Sequence, residues 1–261
     1  MAEKRIISIL SGKGGVGKTT LSVNLGAIAA SNGKEMVLVD GDLGNPSVGL
    51  HLGLWGYTAG LQSVLAAKCG LEQVTIVHPA TGMRVVPSTL EYSSNVKMSK
   101  LKDVLKAATY RSFIIDSPPG IASGVEEILS SCNETIVVVT PDIPSVMSAV
   151  KIIEIARKKG VKVDGLVLNR VQNKRYEMHE KEIESTCNVP ILVSIKEDRA
   201  VPESISAKMP AVLYAPKSKA SRSFQQLATE LGFSGKAAGV KGRGGMMARF
   251  FAWLSRLFGG E

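Results

Sequence analysis

The clearest chemical signal in this sequence is a glycine-rich segment, GKGGVGKTT, at residues 12–20. It follows a short apolar run and opens a stretch of helical periodicity, which is the context that the GxxxxGK[ST] phosphate-binding pattern requires. Glycines let backbone N–H groups turn inward around phosphate oxygens, and the helix start adds a positive dipole end. In this pattern Lys18 reaches the β- and γ-phosphates, and the Thr19 hydroxyl coordinates Mg²⁺. The predicted nucleotide-binding residues of this loop are Gly12, Lys13, Gly14, Gly15, Val16, Gly17, Lys18, Thr19 and Thr20.

Two further apolar runs end in carboxylates. Residues 36–40 end at Asp40, with Asp42 two positions later, and residues 113–116 end at Asp116 before Pro-Pro-Gly. Strands of an open α/β sheet place their carboxyl ends over the ligand crevice. Phosphoryl transfer depends on positioning and charge, so one carboxylate near the γ-phosphate suffices to orient the attacking water. We predict Asp42 for that role, with Asp40 as the alternative or as a structural acid, and Asp116 for the magnesium shell.

A second lysine, Lys13, stands inside the loop. With it, the segment KGGVGKT resembles the signature of the deviant Walker A ATPases, the MinD/ParA family, over roughly residues 4–232. The resemblance implies that ATP and Mg²⁺ hold two monomers face to face and that Lys13 contacts the nucleotide of the partner subunit. It also implies hydrolysis of ATP to ADP and phosphate. The predicted catalytic residues are then Lys13, Lys18 and Asp42, and the predicted metal site comprises Thr19, Asp42 and Asp116.

The base-recognition residues are predicted from the same resemblance. Asn169 and Arg170 close an apolar run at the position where the family uses an asparagine to bind adenine. Lys196 stands where the family's later segment has proline, which restores an N–H group and loosens φ. ATP is favoured over GTP because the NKxD signature of GTPases is absent.

Apolar runs alternate with helical-period stretches along the chain. Runs without polar alternation indicate strands that are buried on both faces. We therefore predict one α/β domain with a doubly wound, mostly parallel sheet and helices on both faces. The predicted strands are residues 6–10, 36–40, 83–87, 113–116, 135–140, 163–169 and 191–195, and the predicted helices are residues 18–32, 59–67, 100–107, 123–131, 145–159, 177–186 and 218–231.

Composition narrows the class of protein. The chain has 261 residues, of which 44% are hydrophobic and 21% charged, as in ordinary globular proteins. Three scattered cysteines, without a CxxC pair, argue against a disulfide framework and a thiolate metal site. No run reaches the roughly 18 apolar residues of a membrane span, and residues 6–10 are too short for a signal-peptide core. We expect a cytoplasmic protein, whose net charge of +9 favours a polyanionic partner.

The composition changes after residue 233. Residues 234–245, SGKAAGVKGRGG, predict a flexible basic linker that follows the ATPase domain of residues 1–233. Residues 246–261 predict an amphipathic helix whose apolar face is flanked by arginines, as in interfacial membrane anchors; a helix docked on the domain's own core is the alternative. MinD-like members of the family carry such a tail. The predicted membrane contacts are Phe250, Phe251, Trp253, Leu254, Leu257 and Phe258.

The phosphate loop near the start of the sequence and the amphipathic tail at residues 246–261 together suggest one mechanism. An ATP-bound homodimer would present two weakly binding tails, which raises avidity for an anionic membrane surface, and hydrolysis would release both. Such proteins position a division site, flagella or a chemosensory array with an activating or cargo protein, which the unusual switch segment Asn45-Pro46-Ser47 leaves unidentified. The alternatives are a ParA-like ATPase that uses non-specific DNA as its surface, an iron–sulfur carrier and a scaffold that binds ATP without turnover.

Overall fold

The computed structural model describes residues 4–89, 96–120 and 123–234. Within these ranges the strands are β1 (Arg5–Leu10), β2 (Val37–Asp40), β3 (Ile76–Val77), β4 (Arg84–Val86), β5 (Ser112–Asp116), β6 (Glu134–Val139), β7 (Lys162–Val171) and β8 (Ile191–Lys196). They form one sheet in the order β3-β4-β2-β5-β1-β6-β7-β8, in which only the β3–β4 pair is antiparallel. The predicted doubly wound, mostly parallel sheet is confirmed.

Helices connect successive strands, except for β3 and β4, and cover the sheet. They are α1 (Lys18–Ser31), α2 (Val48–Leu52), α3 (Leu61–Leu65), α4 (Leu71–Val74), α5 (Leu101–Ala107), α6 (Ser123–Ser131), α7 (Ile143–Lys158), α8 (Glu180–Cys187), α9 (Ala200–Ser206), α10 (Ala211–Tyr214) and α11 (Lys219–Glu230). A 3₁₀ turn, Met98–Lys100, leads into α5.

Two apolar cores form because neighbouring strand residues point to opposite faces of the sheet. In β1, Ile6 and Leu10 face the core under α3 to α8, whereas Ile7 and Ile9 face the core under α1, α2, α10 and α11. Both faces are therefore covered by helices, as the near-continuous apolar strands predict.

The centre of the sheet sets the position of the functional site. β1 lies between β5 and β6, so the winding of the chain reverses there. The register pairs Ile9 of β1 with Asp116 of β5, and Asp40 of β2 with Asp116. The loop after β1 and both strand-end carboxylates therefore meet at the carboxyl edge of the sheet, where open α/β sheets bind ligands.

The elements that the sequence did not predict are short. They are the strand β3 and the helices α2, α4, α9 and α10, none longer than seven residues. A segment of one or two turns shows too little periodicity to be recognised, and packing rather than local propensity holds it in place.

The described chain ends at the amino edge of the sheet, opposite the carboxyl edge where the phosphate loop lies. After α11, Phe233 is buried and packs under the Arg5 guanidinium, 5.2 Å from its ring centroid, at the start of β1. The predicted linker at residues 234–245, apart from Ser234, and the predicted tail at residues 246–261 lie outside the described residues. Within the described ranges, no helix has both the length and the apolar character needed to span a membrane.

Candidate nucleotide-binding site

The loop between β1 and α1 depends on glycine at two positions. Gly15 has φ +75° and Gly17 has φ +100°, where a side chain would be strained. A Cβ atom on Gly17 would also lie 2.3 Å from Asn169 Nδ2. Gly17 is the N-cap of α1, and no side chain caps this helix. The first N–H groups of α1 therefore remain for an anion.

The remaining loop residues pack tightly on one side and are open on the other. A Cβ atom on Gly12 would lie 2.2 Å from Ser148 Cβ, so α7 packs directly on the loop. Val16 is buried beside it, while Gly14 is exposed and Thr20 is half-buried. The loop is thus fixed in shape and open to a ligand.

Lys18 is a buried cation at the start of α1. Only 7% of it is exposed. Burial lowers the pKa of its ammonium group, while the charges of Asp116 and Asp42 act in the opposite direction. No ion pair of Lys18 is present among the described residues. A buried charge without a close counter-ion is costly, so this site favours binding of an anion.

Asp116 ends β5 beside Thr19. Its Oδ2 accepts a hydrogen bond from Thr19 Oγ1 at 2.6 Å, and its Oδ1 accepts one from Ser22 Oγ at 3.0 Å. Burial raises the pKa of Asp116 to about 6, although the Thr19 hydrogen bond and the Lys18 charge lower it. Hydroxyl and carboxylate oxygens are the donors that Mg²⁺ prefers. The structure therefore brings Thr19 and Asp116 together in a set that fits this ion.

Asp40 and Asp42 differ sharply in environment. Asp40 is fully buried and accepts hydrogen bonds from the backbone N–H groups of Asp42, Ser47 and Val48 at 3.0–3.2 Å. Burial, and secondarily the charge of Asp116, raise its pKa well above the usual value. Asp42 is half-exposed, and its Oδ1 accepts one hydrogen bond from Asn45 N at 3.0 Å. Asp40 thus organises the loop before α2, and Asp42 is the carboxylate that solvent reaches.

Lys13 is paired within its own chain. Its Nζ lies 3.4 Å from Asp142 Oδ1, and both side chains are substantially exposed. Asp142 is the N-cap of α7 and accepts a hydrogen bond from Ser145 N. Burial raises the pKa of Asp142, but hydrogen bonds from Thr140, Ser145 and Lys13 outweigh it and lower the pKa overall. Contact of Lys13 with a partner subunit stays a prediction, and it requires Lys13 to leave Asp142.

The base-side residues line a cleft of about 300 Å³ next to the loop. Asn169 Nδ2 donates to Val16 O at 2.7 Å, which leaves its Oδ1 as an acceptor. Arg170 adopts φ +60° and pairs with Glu197 at 2.9 Å. Lys196 is the last residue of β8 and is paired with Val171, so the strand continues through the position where the family has proline.

Two serines at this site were missed by the sequence analysis. Ser22 binds Asp116 from one turn after Thr19, a spacing that the i, i+3 rule for helices could have revealed. Ser47 Oγ lies 2.9 Å from Thr19 Oγ1, although the two residues are 28 positions apart. Only the fold brings this pair together. The predicted membrane contacts, Phe250 to Phe258, lie outside the described residues.

Three features of the described residues define a P-loop nucleotide-binding site: a helix start without a side-chain cap, a buried lysine without a close counter-ion, and a strand-end aspartate bound to a threonine hydroxyl. The family model "ParA: NUBPL iron-transfer P-loop NTPase" matches residues 2–232. The chain belongs to the MinD/ParA family of P-loop ATPases.

Individual relatives agree with this assignment. An uncharacterised ATP-binding protein of Methanocaldococcus jannaschii is 36% identical over 229 residues, which is 86% of each chain. The septum site-determining protein MinD of Synechocystis is 30% identical, over 87% of this chain and 89% of its own. MinD from Pyrococcus horikoshii, solved with Mg-ADP, matches with a TM-score of 0.82 at 31% identity, covering 87% of this chain and 95% of that one.

The description of the family model also mentions iron transfer. Among the described residues there is no group of three or more His, Cys, Asp or Glu that could hold a metal ion. Cys132 is mostly buried against Ser8, and burial raises the pKa of its thiol to about 11 despite the Ser8 hydrogen bond.

Proposed function

We propose that this chain is a membrane-associating, ATP-hydrolysing switch of the MinD type. It binds ATP with Mg²⁺, forms a homodimer in the ATP-bound state and attaches to an anionic membrane surface through residues 246–261. The observation that carries the proposal is the buried Lys18, which pairs with no other described residue, beside the open N-terminus of α1. The Mg-ADP complex of the related MinD supports the choice of nucleotide and ion.

Different residues of the chain bind the phosphates, the metal ion and the attacking water. The N–H groups of residues 12–20 and the Lys18 ammonium hold the phosphates, while Thr19 and Asp116 hold the magnesium ion. When bound, that ion neutralises charge on the phosphate oxygens. Asp42, as the solvent-reachable carboxylate near Lys18, orients the attacking water. We expect turnover to be slow without an activating partner.

Lys13 links the nucleotide to dimer formation. In the structure it is held by Asp142 through an exposed ion pair, which contributes little stability. Such a contact is readily exchanged for phosphate of the nucleotide in a second protomer. That exchange would make dimerisation depend on ATP.

The tail converts dimerisation into membrane attachment. The described chain ends next to the start of β1, at the edge of the sheet opposite the phosphate loop. Residues 234–245 can extend at most about 40 Å, so they can tether the tail without obstructing the nucleotide site. One amphipathic helix binds lipid weakly, whereas two helices on one dimer gain avidity of about 10²–10⁴-fold.

A liposome pelleting experiment tests the proposal. Full-length protein is sedimented with anionic vesicles in the presence of ATP or ADP, with the Asp42→Ala variant to block turnover. We expect more protein in the pellet with ATP, and no pelleting of a chain that ends at residue 245. Equal bound fractions with both nucleotides would refute the switch.

The net charge of +9 favours a second candidate function. A ParA-like ATPase would use non-specific DNA as its surface, because contacts to phosphates need only clustered lysine and arginine. Deletion of residues 246–261 separates the two functions. It should abolish lipid binding but leave any ATP-dependent DNA binding intact.

A further inference from the structure

Ser47 has an unusual role at the start of α2. Serine at an N-cap normally accepts a hydrogen bond from a backbone N–H in the first turn of its own helix. Ser47 is the N-cap of α2, yet its side chain makes no capping bond. Asp40 instead accepts the N–H groups of Ser47 and Val48. The Ser47 hydroxyl is therefore released from the helix.

That hydroxyl is directed at Thr19. Ser47 Oγ lies 2.9 Å from Thr19 Oγ1, while Thr19 Oγ1 donates its single proton to Asp116 Oδ2. Since Thr19 has no second proton, Ser47 must be the donor in their shared hydrogen bond. Ser47 thus occupies a lone pair of the oxygen that the proposed function assigns to the cation.

The spacing of the two oxygens matches a metal site. Adjacent ligands of an octahedral Mg²⁺ at 2.0–2.1 Å from the ion lie about 2.9 Å apart, which equals the distance between Ser47 Oγ and Thr19 Oγ1. Mg²⁺ in phosphate sites uses one or two protein ligands and fills its shell with phosphate and water oxygens. A second hydroxyl ligand is therefore compatible with such a site.

We propose that Ser47 is a second side-chain ligand of the divalent cation, beside Thr19. The proposal rests on the proposed function, because it needs a site for Mg²⁺ with nucleotide. Arrival of the ion replaces the Ser47–Thr19 hydrogen bond by two metal–oxygen bonds. Ser47 and the Asp42 loop are both fastened to the carboxylate of Asp40, so cation binding also fixes the loop that carries Asp42.

The first test measures cation affinity directly. Mn²⁺ is titrated into the full chain with a non-hydrolysable ATP analogue, and free Mn²⁺ is followed by electron paramagnetic resonance. We expect Ser47→Ala to weaken Mn²⁺ binding about tenfold or more, with unchanged nucleotide affinity in EDTA. Ser47→Thr keeps the hydroxyl and should restore most of the affinity, which a purely structural role for the side chain would not require.

The second test changes the chemistry of the proposed ligand. A thiolate prefers soft cations, so Ser47→Cys should bind Mn²⁺ weakly and Cd²⁺ more tightly than the wild type does. The matched control is Ser221→Cys, a buried serine on α11 whose hydroxyl donates to Ala211 O. This control should keep the wild-type preference on the same background of native cysteines.

The outcomes distinguish a failure of the proposed function from a failure of the role of Ser47 alone. If wild-type protein shows no Mn²⁺-dependent nucleotide binding, both the proposed function and the role of Ser47 are overturned. If the wild type binds, but Ser47→Ala retains its Mn²⁺ affinity or Ser47→Cys shows no shift toward Cd²⁺, only the role of Ser47 is overturned. Weaker Mn²⁺ binding together with a Cd²⁺ preference supports direct ligation.

Discussion

The charged side chains near the two ends of β1 differ in how far their charge is compensated within the chain. Arg5 at the start of β1 pairs with Glu134 at 2.8 Å and donates to Leu231 O at 2.6 Å. Beyond the other end of this strand, Lys18 at the start of α1 is buried and forms no ion pair with another residue that the structure describes, and burial raises the pKa of Asp116 at the end of β5. The charge of Arg5 is thus compensated within the chain, whereas that of Lys18 is not.

This difference separates structural charges from functional ones. A pair that is satisfied within the chain contributes to stability and has little left to offer a ligand. A charge that stays uncompensated after folding lowers the stability of the protein until a ligand binds it. Because such charges cluster at functional sites, they help to identify a site. We therefore expect substitutions of uncompensated charged residues to affect activity, and substitutions of residues whose charges are satisfied within the chain to affect stability.

The largest effect is expected at Lys18. Lys18→Ala removes the buried cation that faces the phosphates, so ATP turnover should fall by about 10²–10³-fold, as for other preorganised charge contacts. The free energy of unfolding should stay the same or rise, because a buried charge is lost. Turnover assays and urea unfolding measure both quantities. Lys162→Ala is the matched control, because this exposed lysine pairs with the largely buried Asp164 at the amino edge, and it should keep full activity.

Asp40 and Asp42 show the same contrast between a satisfied and an available charge within one loop. Asp42→Ala should lower turnover by about 10²-fold, the usual contribution of a positioned acid or base, with a stability loss below about 1 kcal/mol. Asp40→Ala leaves three backbone N–H groups without their acceptor, which should cost about 2–3 kcal/mol of unfolding free energy. Turnover and urea unfolding of each variant give the two readouts. A reversed pattern would exchange the roles that we assign to them.

His78 provides a pH-dependent test of how α2 is held. It is fully buried, with Nε2 near Leu52 O at 3.2 Å and Nδ1 near Thr81 Oγ1 at 2.9 Å. Burial lowers its pKa to about 4, although the bond to Leu52 opposes this. Between pH 6.5 and 4 the unfolded chain binds a proton that the folded chain rejects. The contribution of His78 to the free energy of unfolding is therefore fully present above pH 6.5 and is lost as the pH falls toward 4.

Comparison of the wild type with His78→Gln separates the effect of His78 from that of the other titrating groups. The unfolding free energy of the wild type minus that of His78→Gln should fall by up to about 1.4 kcal/mol per pH unit across this window. Above pH 7 the difference should be constant. Urea titrations at several pH values measure it, and a flat difference down to pH 4 would show that His78 is protonated equally in both states.

Arg5 represents the amino edge and should give the smallest effect. Arg5→Ala removes the ion pair with Glu134, the bond to Leu231 O and the contact with the Phe233 ring. Since the side chain is partly exposed, we expect a loss of about 1–2 kcal/mol in unfolding free energy and unchanged ATP turnover per folded molecule. A large fall in the turnover of fully folded Arg5→Ala would contradict a purely structural role for Arg5.

The sheet was predictable from the sequence because its strands are long enough to show a pattern. Seven of its strands coincide with mostly apolar runs, and the glycine loop carries an explicit motif at the end of the first. The antiparallel β3 has only two residues, Ile76–Val77, and gives no such signal.

The site was predictable only in part. The sequence shows that two aspartates follow β2, but not that folding buries Asp40 and leaves Asp42 half-exposed. Ser47 reaches Thr19 only through the turn that Asp40 organises. Lys13 pairs with Asp142 because α7 begins beside the loop. Each of these facts depends on contacts between residues far apart in sequence, which periodicity and motifs do not contain.

ATP-dependent dimerisation is tested by the mass of the full-length chain in solution, measured by light scattering. Asp42→Ala with ATP and Mg²⁺ is compared with the wild type in ADP and Mg²⁺. We expect twice the monomer mass of 27.7 kDa with ATP and the monomer mass with ADP. The same mass with both nucleotides would contradict it.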